Sequence, residues 1–193
     1  FMDNKKVNIF KWLLYITYIA SIIYFLFTGE KGKAFISFIS LVIAFILSKL
    51  YFKNFLVIDK PLYIFGNLFI VASFLIGSCY RMYDFFKPYD SCLHFLSGFI
   101  TVKICWNIFK VIMVAMPRSI VDKLLFFTVI FFFAMGVSGV CEIAEYLLDV
   151  FFKMGTQSGG LKDTMQDMLY ALSSAILMII YYFRKYNKSI KRL

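Results

Sequence analysis

The sequence is short of the residues that polar enzymes use freely. It has one histidine, His94, in 193 residues, and 11 Asp and Glu against 21 Lys and Arg. Its three prolines, Pro61, Pro88 and Pro117, all fall in connections between apolar runs. The four cysteines, Cys79, Cys92, Cys105 and Cys141, form no CxxC, so neither a zinc knuckle nor a disulfide framework is indicated. Small apolar packing residues are the simpler reading; only Cys79 and Cys92 flank a common loop that a disulfide could close. No GxSxG motif is present, which argues against a serine-elbow hydrolase. No basic stretch is large enough to form a nucleic-acid reader. Internal repeats and low-complexity linkers are also missing.

Apolar residues dominate instead. The chain is 62% hydrophobic and 21% aromatic, with a mean hydropathy of +0.80. A soluble domain is typically about 45–50% apolar. The composition therefore predicts an all-α, polytopic membrane protein. Six apolar runs are long enough to cross: about 9–28, 34–52, 62–80, 90–110, 123–152 and 163–183. The first is long and lacks a small-x-small cleavage site, so a retained helix is expected rather than a signal peptide. The expected architecture is a six-helix bundle forming one membrane domain over 1–193. Residues 1–80 would be apolar scaffold, 81–184 would carry the polar groups, and 185–193 would be a basic tail.

The basic residues give an expected orientation. Six spans put both termini on one side. That side collects Lys5, Lys6, Lys11, Lys49, Lys53, Lys60, Lys110, Arg118, Lys123, Arg184, Lys185, Lys188, Lys191 and Arg192. The other has Lys31, Lys33, Arg81, Lys87, Lys153 and Lys162, with Lys103 left inside a span. An excess of Lys and Arg marks cytoplasmic loops. Both termini are thus expected to be cytoplasmic, in a multi-pass cell-membrane (inner, cytoplasmic membrane) protein surrounded by lipid, with no nucleic-acid partner.

Against this background the acids stand out. A charged residue at the centre of a membrane helix costs roughly 2.5–3.5 kcal/mol on insertion scales. Glu142, Glu145 and Asp149 share one helical face. Asp90 and His94 are one turn apart at the start of the fourth run, and Asp163 and Asp167 at the start of the sixth. With the orientation above, all three sets lie near the outer interface. Simpler readings exist for each set alone. Asp90 and Asp163 could be helix N-caps, Glu145 and Asp149 could be the solvated end of an over-long helix, and His94 could be a structural histidine. Taken together, they predict one polar site. Gln157 and Gln166 could orient a ligand there, and Ser97 and Thr101 continue the same side of the fourth span. Gly98, Gly136 and Gly139 suggest close helix packing. Arg81 and Lys87 could attract a phosphate, although a solvated loop is the preferred reading.

Carboxylates with one imidazole suit Mg²⁺, Mn²⁺ or Ca²⁺, and also Zn²⁺ or Fe. Helices that project acids at i, i+3 or i, i+4 hold such ions in bundle proteins. The candidate metal ligands are Asp90, His94, Glu142, Glu145, Asp163 and Asp167. Without a metal, the same groups could act as proton donors and acceptors.

Asp90-x3-His94-Phe95, Glu142-x2-Glu145, Gly155-Thr156-Gln157 and Asp163-x3-Asp167-Met168 resemble the YjdF-like family of bacterial inner-membrane proteins. The resemblance covers roughly residues 80–180; the first three spans match only in hydropathy. It implies that these acids and the imidazole form the family's polar centre. A looser similarity is to VanZ-like, envelope-associated proteins, whose pattern has Asn where this chain has Asp167.

Two main functions follow as expectations. One is a metal-dependent hydrolase or transferase acting on a lipid or cell-envelope substrate. In it His94, Glu142 and Glu145 are the candidate catalytic groups, one serving as general base toward metal-bound water. The alternative is a divalent-cation or proton-coupled transporter, for which Thr101, Lys103 and Asn107 are the only polar residues toward the cytoplasm. A non-catalytic membrane partner, with acids that only lock helices together, is a third.

Overall fold

The computed structural model describes residues 4–113, 117, 119–153, 155–157 and 160–190, without the side chains of Asn4 and of 188–190. Arg118, Lys191, Arg192 and the Lys188 side chain, used in the sequence reading, lie outside it. Every regular element among the described residues is helical: α1 (Asn4–Phe27), α2 (Lys31–Phe52), α3 (Lys60–Ile70) with a π-helical continuation (Val71–Cys79), α4 (Met82–Phe85), α5 (Tyr89–Ile112), α6 (Ile120–Phe152) and α7 (Leu161–Ile190). Among the described residues, six helices are long and apolar enough to cross a membrane, in the expected order. Only 22–39% of each apolar window is buried within the protein. Side chains such as Ile16, Phe35, Phe65 and Phe132, each at least 60% exposed, suit contact with lipid tails rather than water.

The chain forms two compact units, Phe1–Tyr89 and Asp90–Leu193. In the first, Tyr18, Phe25, Ala44, Leu75 and Cys79 lie in one buried cluster. Several of its polar groups pair internally: Ser48 Oγ lies 2.9 Å from the Tyr63 hydroxyl, and Asn67 Nδ2 donates to the Tyr63 carbonyl, whereas the Tyr18 hydroxyl, Asn67 Oδ1 and Ser73 Oγ are buried without a hydrogen bond. Asp59 caps α3 by accepting from the Leu62 amide, with Pro61 in the first turn, where its missing N–H costs nothing. The third span departs from the expected continuous α-helix, since its second half is π-wound and its turns are wider. Gly77 leaves room there for the Tyr83 ring of α4. In the expected loop, Arg81 pairs with Asp84 at 2.6 Å and both are exposed, which agrees with a solvated role.

The second unit is built from α5, α6 and α7. One end is apolar and aromatic: Trp106 stacks on Tyr182 with centroids 4.3 Å apart, beside Phe126, Phe127 and Ile130. Nearer the other end, α5 crosses α7 at Gly98. A Cβ there would meet the Ser174 side chain and the Ala171 carbonyl, so only glycine permits the approach. The close-packing expectation fails for Gly136 and Gly139, where a Cβ would meet open space. Ser119 caps α6 by accepting from the Asp122 amide. With 33 residues, α6 is about 50 Å long, beyond the ~30 Å hydrocarbon core. The α7 helix runs on through Arg184 and Lys185 to Ile190, so the segment read as a tail is helical that far. All four cysteines are free; Cys79 and Cys105 are buried packing residues, whereas Cys92 and Cys141 are exposed.

Candidate functional site

The antiparallel course of the last three spans brings together the start of α5, the final turns of α6 and the start of α7. Because α5 begins at Tyr89, Asp90 lies within the first turn rather than ahead of it as a cap. Asp163 likewise falls in the first turn of α7. Negative charge there is favoured by the helix dipole. His94 follows Asp90 by four residues and faces the same way, toward α6 and α7.

His94 is the hub. Its Nε2 lies 3.7 Å from Asp90 Oδ1 and 3.7 Å from Glu145 Oε1, and its Nδ1 lies 3.6 Å from Glu142 Oε1. These gaps are too long for direct hydrogen bonds, which run 2.7–3.2 Å. They approach the ~3.4 Å separating two atoms that each sit about 2.1 Å from one tetrahedral ion. Ligand atoms of Asp90, His94 and Asp167 lie within 4.8 Å of one another, and so do those of His94, Glu142 and Glu145. His94, Glu142 and Asp167 are buried, at 9%, 4% and 2% exposure.

Glu142 Oε1 is the telling atom. It is buried and has no hydrogen-bond partner. Burying a carboxylate oxygen without a partner is costly. A cation in the gap toward His94 would satisfy it, so the donor set fits a divalent ion by charge, chemistry and spacing. One turn deeper on the same face, Ser138 Oγ is buried and also without a hydrogen-bond partner.

A short strap closes this end of α6. Lys153 ends the helix in the left-handed conformation and Gly155 continues with φ +67°. Asp149 then accepts from the Thr156 amide at 2.6 Å and the Gln157 amide at 2.8 Å. The Thr156 hydroxyl lies 2.7 Å from Asp149 Oδ1 and 3.0 Å from the Glu145 carbonyl. Gln157 Nε2 reaches the Glu142 carbonyl at 3.2 Å and Thr164 Oγ1 at 2.9 Å. Asp149, on the acid face in the sequence, is therefore a capping residue. Gln157 holds the backbone of a site residue.

Of the six expected ligands, five converge: Asp90, His94, Glu142, Glu145 and Asp167. Asp163 is half-buried one turn away and belongs to neither group. Gln166 is exposed. Ser97 donates to the His94 carbonyl and Thr101 to the Ser97 carbonyl, so both hydroxyls turn back onto their own helix. Ser91 was missed: its hydroxyl donates to Asp167 Oδ1 at 3.3 Å and ties α5 to α7. Its position three residues before His94, on the same face, was the available signal. Thr164 and Ser138 were missed as well, each one turn from an acid of the site.

Fold and site together define a six-span helical membrane protein with a buried carboxylate–histidine cluster in its last three spans. The chain belongs to the family described as "Predicted membrane protein (DUF2238)", whose model matches residues 10–188 and so takes in the first three spans too. No curated protein and no solved structure shows a significant match to it.

Proposed function

We propose that the cluster is a divalent-metal centre supporting hydrolysis or group transfer on a lipid or cell-envelope substrate. The observation that carries this reading is the buried Glu142 Oε1, which makes no hydrogen bond and faces His94 Nδ1 across 3.6 Å, within a ring of acids from three helices. A bound ion would supply Lewis acidity and an activated water. The chain's own groups hold and orient: Asp90, His94 and Asp167 on one side, Glu142 and Glu145 on the other. One carboxylate of the cluster would serve as general base and take up the proton. Asp163 adds negative charge one turn away. Placing the cluster at the outer face of the cell membrane, with cytoplasmic termini, rests on the lysine and arginine distribution. It would set the site at headgroup depth. The narrower kinship with YjdF-like proteins, carried by the motifs between 80 and 180, belongs to the same proposal.

The transporter reading is weaker for a specific reason. The polar residues toward the other end are already engaged. Lys103 Nζ donates to Asn107 Oδ1 at 2.9 Å, and a fixed ammonium on that path opposes cation passage. Metal analysis of the purified protein tests the proposal. Stoichiometric metal, reduced in both His94→Ala and Glu142→Gln, is the expected result. A folded wild-type protein that binds no divalent metal would refute it. Lipid turnover in detergent, compared with ion flux into liposomes, then separates enzyme from transporter.

A further inference from the structure

The five converging ligands do not form one group. They fall into two triads, Asp90–His94–Asp167 and His94–Glu142–Glu145, which share only the histidine. The two imidazole nitrogens face different acids: Nδ1 looks toward Glu142, and Nε2 toward Asp90 and Glu145. We propose that the centre holds two divalent cations, one at the Asp90–Asp167 pair and one at the Glu142–Glu145 pair, with His94 between them and ligating one of the two. This rests on the metal reading above and extends it to the number of ions.

Charge gives the independent argument. Four carboxylates, Asp90, Glu142, Glu145 and Asp167, surround one imidazole, and the only ion-pair partner found for them among the described residues is His94. One divalent ion would offset half of their full negative charge, and two would offset all of it. In a low-dielectric span, uncompensated charge is what the protein can least tolerate. Glu142 Oε1, buried without a hydrogen bond, places the demand for the second ion in the α6 triad.

The two positions differ chemically. A neutral imidazole has one free lone pair, so His94 ligates one ion through one nitrogen and keeps a proton on the other. One position therefore has mixed nitrogen and oxygen donors, and the other has oxygen donors alone. The first tolerates zinc or iron; the second suits magnesium, manganese or calcium. Two ions close together form the arrangement that clamps both the attacking and the leaving oxygen of a phosphoryl group. Among lipid and envelope substrates this favours phosphate esters, although paired ions also serve amide hydrolysis.

The test is manganese stoichiometry in the full-length protein. Purified protein is stripped, equilibrated with Mn(II) and freed of excess metal. Manganese per chain is then counted by elemental analysis, and coupling is read by low-temperature EPR. The expected result is two ions per wild-type chain with an exchange-coupled spectrum. Glu142→Gln and Asp167→Asn should each fall to about one ion with an isolated Mn(II) signal. One ion in the wild type, lost entirely in either variant, would overturn the two-ion proposal and leave the metal reading standing. No ion in folded wild type would overturn both. The wild-type count decides even if a variant fails to fold, and Glu145→Gln provides a second probe of the α6 triad.

Discussion

Ser91 shows how a neutral side chain can govern a charged site. Its hydroxyl holds Asp167 Oδ1 from the neighbouring helix. Residues that orient ligands in this way typically change metal affinity by 10–100-fold when removed. Ser91→Ala should weaken divalent-metal affinity by about tenfold while leaving helicity unchanged, as read by metal titration alongside circular dichroism. Glycines offer a sharper contrast. Gly98→Ala puts a methyl group where Ser174 and the Ala171 carbonyl already stand, and should destabilise the protein by about 1–3 kcal/mol. Gly136→Ala meets open space and should be neutral or stabilising by up to about 1 kcal/mol. Thermal unfolding of both variants in the same detergent checks the pair. At this scale the sequence was readable for charge and silent on neighbours. Glu142 was conspicuous because acids are rare in apolar runs. Nothing in one sequence told Gly98 from Gly136, since only the crossing of α5 and α7 makes the first indispensable.

Among the elements, the strap after α6 is the one whose role changed most on inspection. Asp149 lies on the same face as Glu142 and Glu145, and helical periodicity alone groups the three. The left-handed Lys153 and Gly155 turn the chain back, so that Asp149 meets the Thr156 and Gln157 amides instead. Asp149→Ala should therefore speed hydrogen exchange at Thr156 and Gln157 while α5 and α7 remain protected. Unchanged exchange at those amides would show that the strap is held by the Thr156 hydroxyl on the Glu145 carbonyl and by Gln157 with Thr164. The helices themselves were legible because each run is long, apolar and bounded by turn residues. The π-winding of Val71–Cys79 was not, because it leaves composition and run length untouched. Asp90 and Asp163 looked like caps for the same reason that boundaries are hard to read: moving a helix start by one or two residues converts a cap into a first-turn acid.

For the molecule as a whole, orientation is the property on which the proposed substrate depends. With both termini cytoplasmic, a membrane-impermeant thiol reagent applied to intact cells should label Lys87→Cys and Lys153→Cys but not Lys53→Cys, in a background lacking the four native cysteines. The reverse pattern would put the cluster on the inner face and remove the envelope substrate from consideration. Free thiols at all four native positions make that background accessible without breaking a disulfide. The crossing at Gly98 carries one last implication, for the evolution of this family. The gap between α5 and α7 acts as a gauge set by the side chains at 98 and 174 and by the Ala171 carbonyl, and His94 and Asp167 one turn away inherit its width. Relatives that place a larger side chain at 98 should compensate with glycine at 174 and a small outward shift of α7. Lineages that widened the gauge without compensation should have lost the acid at 167 along with it.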